Sequence, residues 1–134
     1  SRTALRLAEH LETKKKQQNN HMIHALHYPG LTSHPQHHVA TKQMEGGYGG
    51  VFSIELKDEV TAMAFAGALQ TIHRATSLGG TETLIEHRAS VEPPERIVSP
   101  PGLLRISVGL EDADDLIHDI ENALSITEAV LHSS

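Results

Sequence analysis

Residues 102–112 decide the fold of this chain, and they read Gly-Leu-Leu-Arg-Ile-Ser-Val-Gly-Leu-Glu-Asp. Apolar side chains recur here at every second position, which is the period of a β-strand. The apolar positions are Leu104, Ile106 and Val108, and the positions between them are Leu103, Arg105 and Ser107. The pattern predicts a strand with one apolar face and one face that carries a cation.

A helix is predicted directly after this strand. Gly109 ends the strand, and acidic residues follow at Asp112, Asp114 and Asp115. Acidic side chains are favoured in the first turn of a helix, and an aspartate can cap its free N–H groups. The helix then presents one apolar face, which is formed by Leu116, Ile117, Ile120, Ala123 and Leu124.

Arg105 is the candidate binding residue of the strand. A guanidinium that a strand holds in place suits a planar carboxylate, because its donors form a rigid fork that reaches both oxygens. The same pattern also fits an arginine that pairs with a neighbouring glutamate or lies flat on the surface, and spacing alone leaves both interpretations open.

Composition excludes several classes of protein. The 134 residues suit one domain, 1–134, and a net charge of −6 argues against nucleic-acid binding. The chain contains no cysteine, so disulfide and thiol chemistry are not available. No apolar run is long enough for a membrane span, and no signal peptide is evident, so we expect a cytoplasmic protein without a membrane partner. The helical pattern begins at Arg2 without a cap, as in a piece of a longer protein.

Working outward from the central strand, the chain alternates predicted helices and strands. Residues 72–75 and 83–86 lie close enough in sequence to pair antiparallel, although 83–86 also fits a short helix. The predicted class is α+β, a small, mostly antiparallel sheet with helices packed on one side. Besides the strand and helix already described, the predicted elements are helices over 2–20, 33–43 and 59–70, strands over 22–28, 51–56, 72–75 and 83–86, and a loop over 88–102.

Histidines raise the alternative of a metal-binding protein. Eleven are present, and six of them crowd into residues 21–38. No cysteine and no His-Glu-x-x-His pair supports them, and alternate positions of a strand would point to opposite sides. Ser77 lies in a tight loop that can present its hydroxyl to a ligand, although serines in such loops also bond their own backbone.

Four motifs in order give the chain a resemblance to a known family. They are Tyr-Pro-Gly-Leu-Thr-Ser-His-Pro at 28–35, Gln-Met-Glu-Gly-Gly-Tyr-Gly-Gly at 43–50, Ser-Leu-Gly-Gly-Thr-Glu-Thr-Leu-Ile-Glu-His at 77–87, and the 102–112 stretch. Together they resemble the C-terminal domain of the Cys/Met-metabolism enzymes that depend on pyridoxal phosphate (PLP), the trans-sulfuration family. Its members include cystathionine lyases and synthases, methionine gamma-lyase and O-acylhomoserine sulfhydrylases.

The resemblance implies a role for three residues. In that family the arginine of the central strand binds the α-carboxylate of the amino-acid substrate, which assigns this role to Arg105. The serine of the Ser-Leu-Gly-Gly loop lies beside it, which implicates Ser77, and Leu78 contributes backbone. The resemblance also implies the fold of the C-terminal domain of fold type I PLP enzymes and a homo-oligomer in the full-length form.

The family's PLP lysine belongs to a large N-terminal domain that has no counterpart in these residues. PLP chemistry requires a Schiff-base lysine and a phosphate-binding cup. Ala40-Thr41-Lys42 is only superficially like the lysine motif, and it aligns with a surface helix. We therefore expect PLP in the full-length enzyme, none bound to this chain, and no catalysis by the chain alone. A non-catalytic oligomerisation or regulatory module is the alternative, with the histidine-rich metal-binding protein as a further one.

Overall fold

The structure of the chain is a computed structural model, and it describes residues 2–17, 22–28, 50–74 and 83–132. These residues form four helices, one 3₁₀ turn and five strands. The helices are α1 (Arg2–Gln17), α2 (Glu59–Ala68), α3 (Arg88–Val91) and α4 (Ala113–His132), and the 3₁₀ turn is Pro94–Arg96. The strands are β1 (Ile23–His27), β2 (Val51–Leu56), β3 (His73–Arg74), β4 (Leu84–His87) and β5 (Leu103–Ser107).

The strands form one sheet in the order β1-β2-β5-β4-β3. The stretch 102–112, which contains β5, therefore supplies the middle strand of the sheet. β5 pairs antiparallel with β2 on one side and with β4 on the other, and β1 pairs antiparallel with β2. The prediction of an α+β fold with a mostly antiparallel sheet is confirmed.

The predicted antiparallel pairing of 72–75 with 83–86 is wrong, because β3 runs parallel to β4, with His73 opposite Leu84. Alternation along so few residues can indicate a strand, but it carries no information on direction. Residues 75–83, between β3 and β4, leave both directions of pairing possible, and a strand of two residues has too short a pattern to decide between them.

The predicted loop over 88–102 is also partly wrong, because it contains α3 and the 3₁₀ turn. Both are single turns, too short to give a periodic pattern. Pro94 begins the 3₁₀ turn, where the fixed φ of proline suits the first position of a helical turn. Glu92 closes the loop by accepting hydrogen bonds from the N–H groups of Val98 and Ser99 and from the Ser99 hydroxyl.

The core lies between one face of the sheet and the long helices. Tyr28 and Phe52, two of the few aromatic residues, meet there edge to face with ring centroids 6.2 Å apart. Burial of this apolar surface is the main stabilising contribution to the fold. From the sheet the fully buried side chains include Phe52, Ile54, Ile85, Leu104 and Ile106, and from α1, α2 and α4 they include Leu7, Leu11, Phe65, Leu116 and Ile120.

The N-terminal ends of α2 and α4 are explained by local contacts. Asp58 caps α2 by accepting the Thr61 N–H at 2.8 Å, and the contacts with Thr61 lower the pKa of Asp58. Asp112 accepts the Asp114 N–H at 2.8 Å and starts α4, as the sequence predicted. Within the described residues, no helix is both long enough and apolar enough to cross a bilayer.

Candidate functional site

A row of polar side chains crosses the face of the sheet that points away from the core. The register places His27 opposite Ser53, Ser53 opposite Arg105, and Arg105 opposite Glu86. Directly opposite residues of antiparallel strands lie on the same face, so these four side chains form one line across β1, β2, β5 and β4. We call them the polar row. The same alternation buries Leu104 and Ile106 on the other face.

Arg105 lies near the centre of the polar row and is 43% exposed. Among the described residues its nearest carboxylate is that of Glu86, with Nη2 of Arg105 3.5 Å from Oε1 of Glu86. This separation is long for a hydrogen bond between a guanidinium and a carboxylate. Arg105 therefore has a neighbouring glutamate, as one interpretation of the sequence has it, and its side chain is partly accessible. Its binding of a ligand carboxylate stays a prediction.

A second arginine binds the same glutamate oxygen. Arg88, the first residue of α3, donates from Nη1 to Oε1 of Glu86 in a hydrogen-bonded ion pair. Glu86 is the least exposed of the three, at 19%. Two guanidiniums thus share one carboxylate oxygen, and Glu86 is held closely by Arg88 and loosely by Arg105.

His87 fixes the backbone between β4 and α3. Its two ring nitrogens lie within hydrogen-bond distance of the Ser90 hydroxyl and, at 2.6 Å, of the Pro101 carbonyl oxygen. A carbonyl only accepts, so Nε2 donates to Pro101, and in the neutral ring Nδ1 then accepts from the Ser90 hydroxyl. This anchors the first turn of α3, from which Arg88 reaches Glu86, to the turn that precedes β5.

Glu111 joins the start of β4 to the segment after β5. Its carboxylate accepts the Thr83 N–H at 3.0 Å and the Thr83 hydroxyl at 2.7 Å, while the same hydroxyl accepts the Gly109 N–H at 2.9 Å. Burial works to raise the pKa of Glu111, but the hydrogen bonds from Thr83 outweigh it and the pKa is lowered.

Asp119 of α4 ties down the chain that enters β3. It accepts the N–H groups of Gln70, Thr71 and Ile72 at 2.7–2.9 Å and is almost fully buried. Two carboxylates thus support the sheet on either side of residues 75–82. That segment contains Ser77 and Leu78, which lie outside the described residues.

The structure brings Glu86 and Arg88 to Arg105, and the sequence analysis assigned a role to neither. Glu86 could have been recognised, because a strand over 83–86 places it two residues from Leu84 on one face. The alternation does not reveal which strand pairs with β5, so the contact with Arg105 stayed hidden. Arg88 fell in the predicted loop and gave no signal.

No group of three or more His, Asp or Glu side chains suited to a metal ion occurs within the ranges that the structure describes. His24 and His27 belong to those ranges, and His27 lies 4.0 Å from Glu55. His21, His34, His37 and His38 lie outside them, so the metal-binding alternative rests on the sequence alone for those four.

The chain is similar in sequence to a family of known enzymes. The sequence model of the family described as "Cys/Met metabolism PLP-dependent enzyme" matches residues 1–125. The chain belongs to this family. Its enzymes are PLP-dependent and act in amino-acid metabolism, as the resemblance implied.

Individual relatives agree with the family assignment. A cystathionine beta-lyase of Lactococcus lactis subsp. cremoris is 43% identical over 131 residues, which is 92% of this chain and 33% of that protein. An L-methionine gamma-lyase of Pseudomonas putida is 45% identical over 111 residues, covering 76% of this chain and 27% of that protein. The chain therefore spans about a third or less of the length of these relatives.

A solved structure shows the same fold. The cystathionine gamma-lyase of yeast superimposes with a TM-score of 0.79 at 36% identity, over 94% of this chain and 33% of that one. The matching third of that protein thus has the α+β fold that the sequence predicted for the chain.

The described residues do not by themselves suit a PLP site. The lysines in the described ranges are Lys14, Lys15 and Lys16 at the end of α1 and Lys57 between β2 and α2. Lys14 pairs with Glu121 at 3.1 Å in the helical layer, away from the open face that carries Arg105. What the described residues offer on the open face is a partly accessible guanidinium, that of Arg105.

Proposed function

We propose that this chain is the substrate-side C-terminal domain, 1–134, of a PLP-dependent trans-sulfuration-type enzyme, and that Arg105 binds the α-carboxylate of its amino-acid substrate. The observation that carries the proposal is the position of Arg105 on the open face of the central strand, partly accessible and only loosely held by Glu86. A guanidinium in this state can exchange a weak internal contact for a bidentate bond to a ligand carboxylate.

The reaction class follows from the family. The large domain that carries the PLP lysine supplies the cofactor, which acts as an electron sink for elimination or replacement at the side chain of an amino acid. The present chain holds the substrate by its carboxylate and so orients the rest of the molecule. In this proposal the chain alone is inactive, and the complete protein is a cytoplasmic homo-oligomer.

Ser77 and Leu78 complete the proposed carboxylate site. The residues on either side of their segment support this, since Arg74 pairs with Ile85 of β4 and the Thr83 N–H is held by Glu111. Both ends of segment 75–82 are thereby attached to the strand beside β5. The hydroxyl of Ser77 and the backbone at Leu78 are assigned the carboxylate lone pairs that Arg105 leaves free.

The test is steady-state kinetics of the full-length protein that contains this chain. We expect Arg105→Ala to raise KM for the amino-acid substrate about 30- to 700-fold, because a charge-assisted bidentate contact worth about 2–4 kcal/mol is lost. Arg105→Lys keeps the positive charge but loses the forked pair of donors, so its KM should lie between those of the wild type and Arg105→Ala.

Arg6→Ala is the matched control, because Arg6 is also an exposed arginine but belongs to α1 and pairs with Asp114 at 2.7 Å. It should leave KM unchanged. If Arg105→Ala and Arg6→Ala have the same KM, Arg105 does not bind the substrate.

A further inference from the structure

The shared oxygen of Glu86 raises a question of competition. The carboxylate of Glu86 lies directly opposite Arg105 on the neighbouring strand, so it competes with any ligand carboxylate for the same guanidinium. Unless something else holds it, such a glutamate would pair fully with Arg105 and oppose substrate binding. In the structure it does not, since its closer partner is Arg88.

We propose that Arg88 is a positioning residue that keeps Arg105 available for the substrate carboxylate by holding Glu86. The inference rests on the function proposed above and deepens it. Arg88 and Arg105 compete for Oε1 of Glu86: Arg88 donates a hydrogen bond to it, whereas Nη2 of Arg105 lies 3.5 Å away. Two guanidiniums and one carboxylate leave one positive charge, which matches the single negative charge of an α-carboxylate.

The surroundings of Arg88 are built for this role. Arg88 begins α3 immediately after β4, so Glu86 and Arg88 are two residues apart across the strand-to-helix junction. The two ring hydrogen bonds of His87 fix that junction to Ser90 and Pro101. Because the junction is anchored to the turn that enters β5, the guanidinium of Arg88 and that of Arg105 keep a fixed relation to Glu86.

Removing the charge of Arg88 changes which arginine pairs with Glu86. In Arg88→Met the long aliphatic part of the side chain is retained and the charge is lost, so Glu86 turns to Arg105 as its remaining cation. The site then has no net charge and an internal competitor. Glu86→Gln removes the competitor instead, and in the double variant Arg88→Met/Glu86→Gln neither the competitor nor its holder is charged.

The experiment measures KM and kcat for the amino-acid substrate with the full-length holoenzyme and these three variants. We expect Arg88→Met to raise KM about fivefold with kcat unchanged, the size of a partly exposed ion-pair effect. Glu86→Gln should leave KM at or below the wild-type value. The double variant should return KM to the wild-type value, because without the charge on Glu86 there is nothing for Arg88 to hold.

A merely structural role for Arg88 predicts another pattern, in which the double variant is no better than Arg88→Met alone. That result, or an Arg88→Met variant with wild-type KM, would overturn the inference. Arg105→Ala separates the two proposals. If it raises KM strongly while Arg88→Met does not, only the inference about Arg88 fails; if it has no effect, the proposed function fails first.

Discussion

The two faces of the same sheet do different work, and β5 shows the difference within one strand. Leu104 and Ile106 point to the helices and are fully buried, while Arg105 between them points to the open face and keeps 43% of its side chain exposed. Because the three residues share one backbone, their difference comes from the direction of the side chain alone. Stability is thus concentrated on one face, and the capacity to bind a ligand on the other.

The largest expected effect is on the packed face. Ile106→Ala should lower the free energy of unfolding of the 134-residue chain by about 2–5 kcal/mol, because it removes buried apolar groups and leaves a cavity. Arg105→Ala, one residue away, should lower it by about 1 kcal/mol or less. Urea denaturation followed by circular dichroism compares the two, and equal losses would contradict the division between the faces.

A second large effect is expected where two strands approach too closely for a side chain. A Cβ on Gly102 would lie 2.1 Å from the carbonyl oxygen of Leu56. The N–H of Leu56 donates to the carbonyl oxygen of Gly102 at 2.8 Å, which holds the two backbones together at this point. The atoms in the way belong to the backbone, which cannot move aside as the end of a side chain can. Gly102→Ala should therefore lower the free energy of unfolding by about 3 kcal/mol. An unchanged urea midpoint would show that β2 and β5 separate easily there, and the packed face would be less rigid than we describe.

Intermediate effects belong to the strand ends, where carboxylates hold the sheet together. Glu111→Gln should destabilise the chain by about 1–2 kcal/mol at neutral pH, since Thr83 loses a charged acceptor. The pKa of Glu111 is lowered in the folded chain from 4.5. The contribution is therefore complete above about pH 4.5 and is lost as the pH falls through the folded-state pKa.

Urea titrations between neutral and acidic pH measure this contribution. The difference in unfolding free energy between wild type and Glu111→Gln should shrink on acidification. The matched control is Glu95→Gln, which changes an exposed carboxylate of the 3₁₀ turn. A pH-independent difference would mean that Glu111 acts through its shape and not through its charge.

The smallest effect is expected on the outer surface of the helical layer. Arg6 and Asp114 form an ion pair at 2.7 Å, but their side chains are 54% and 70% exposed. Exposed pairs of this kind contribute little, so Arg6→Ala should change the unfolding free energy by less than about 0.5 kcal/mol. A larger loss would place stability outside the packed face and weaken the comparison.

Sequence reasoning recovered the elements whose pattern is long and regular. The strand predicted over 51–56 is β2 with the observed limits, the helix predicted from 59 begins there as α2, and Asp112 marked the start of α4. The direction of β3 and the turns of α3 and 94–96 were missed, because two to four residues carry no usable period.

The candidate site was recovered only in part, for a related reason. Alternation placed Arg105 on the other face of the strand from Leu104 and Ile106. The side chains beside it on that face depend on which strand pairs with β5, and the sequence does not reveal the pairing. That pairing brings Glu86 of β4 beside Arg105, and Arg88 belongs to a short helix that the sequence did not indicate. The roles of Ser77 and Leu78 rest on the family resemblance, since both lie outside the described residues.

The most direct measurement of the central claim combines kinetics and stability for one variant, Arg105→Ala, in the full-length protein that contains this chain. We predict a rise in KM for the amino-acid substrate of about 30-fold or more with almost no change in thermal midpoint, because the side chain belongs to the open face. A wild-type KM together with a clear loss of stability would contradict the account and make Arg105 a structural residue.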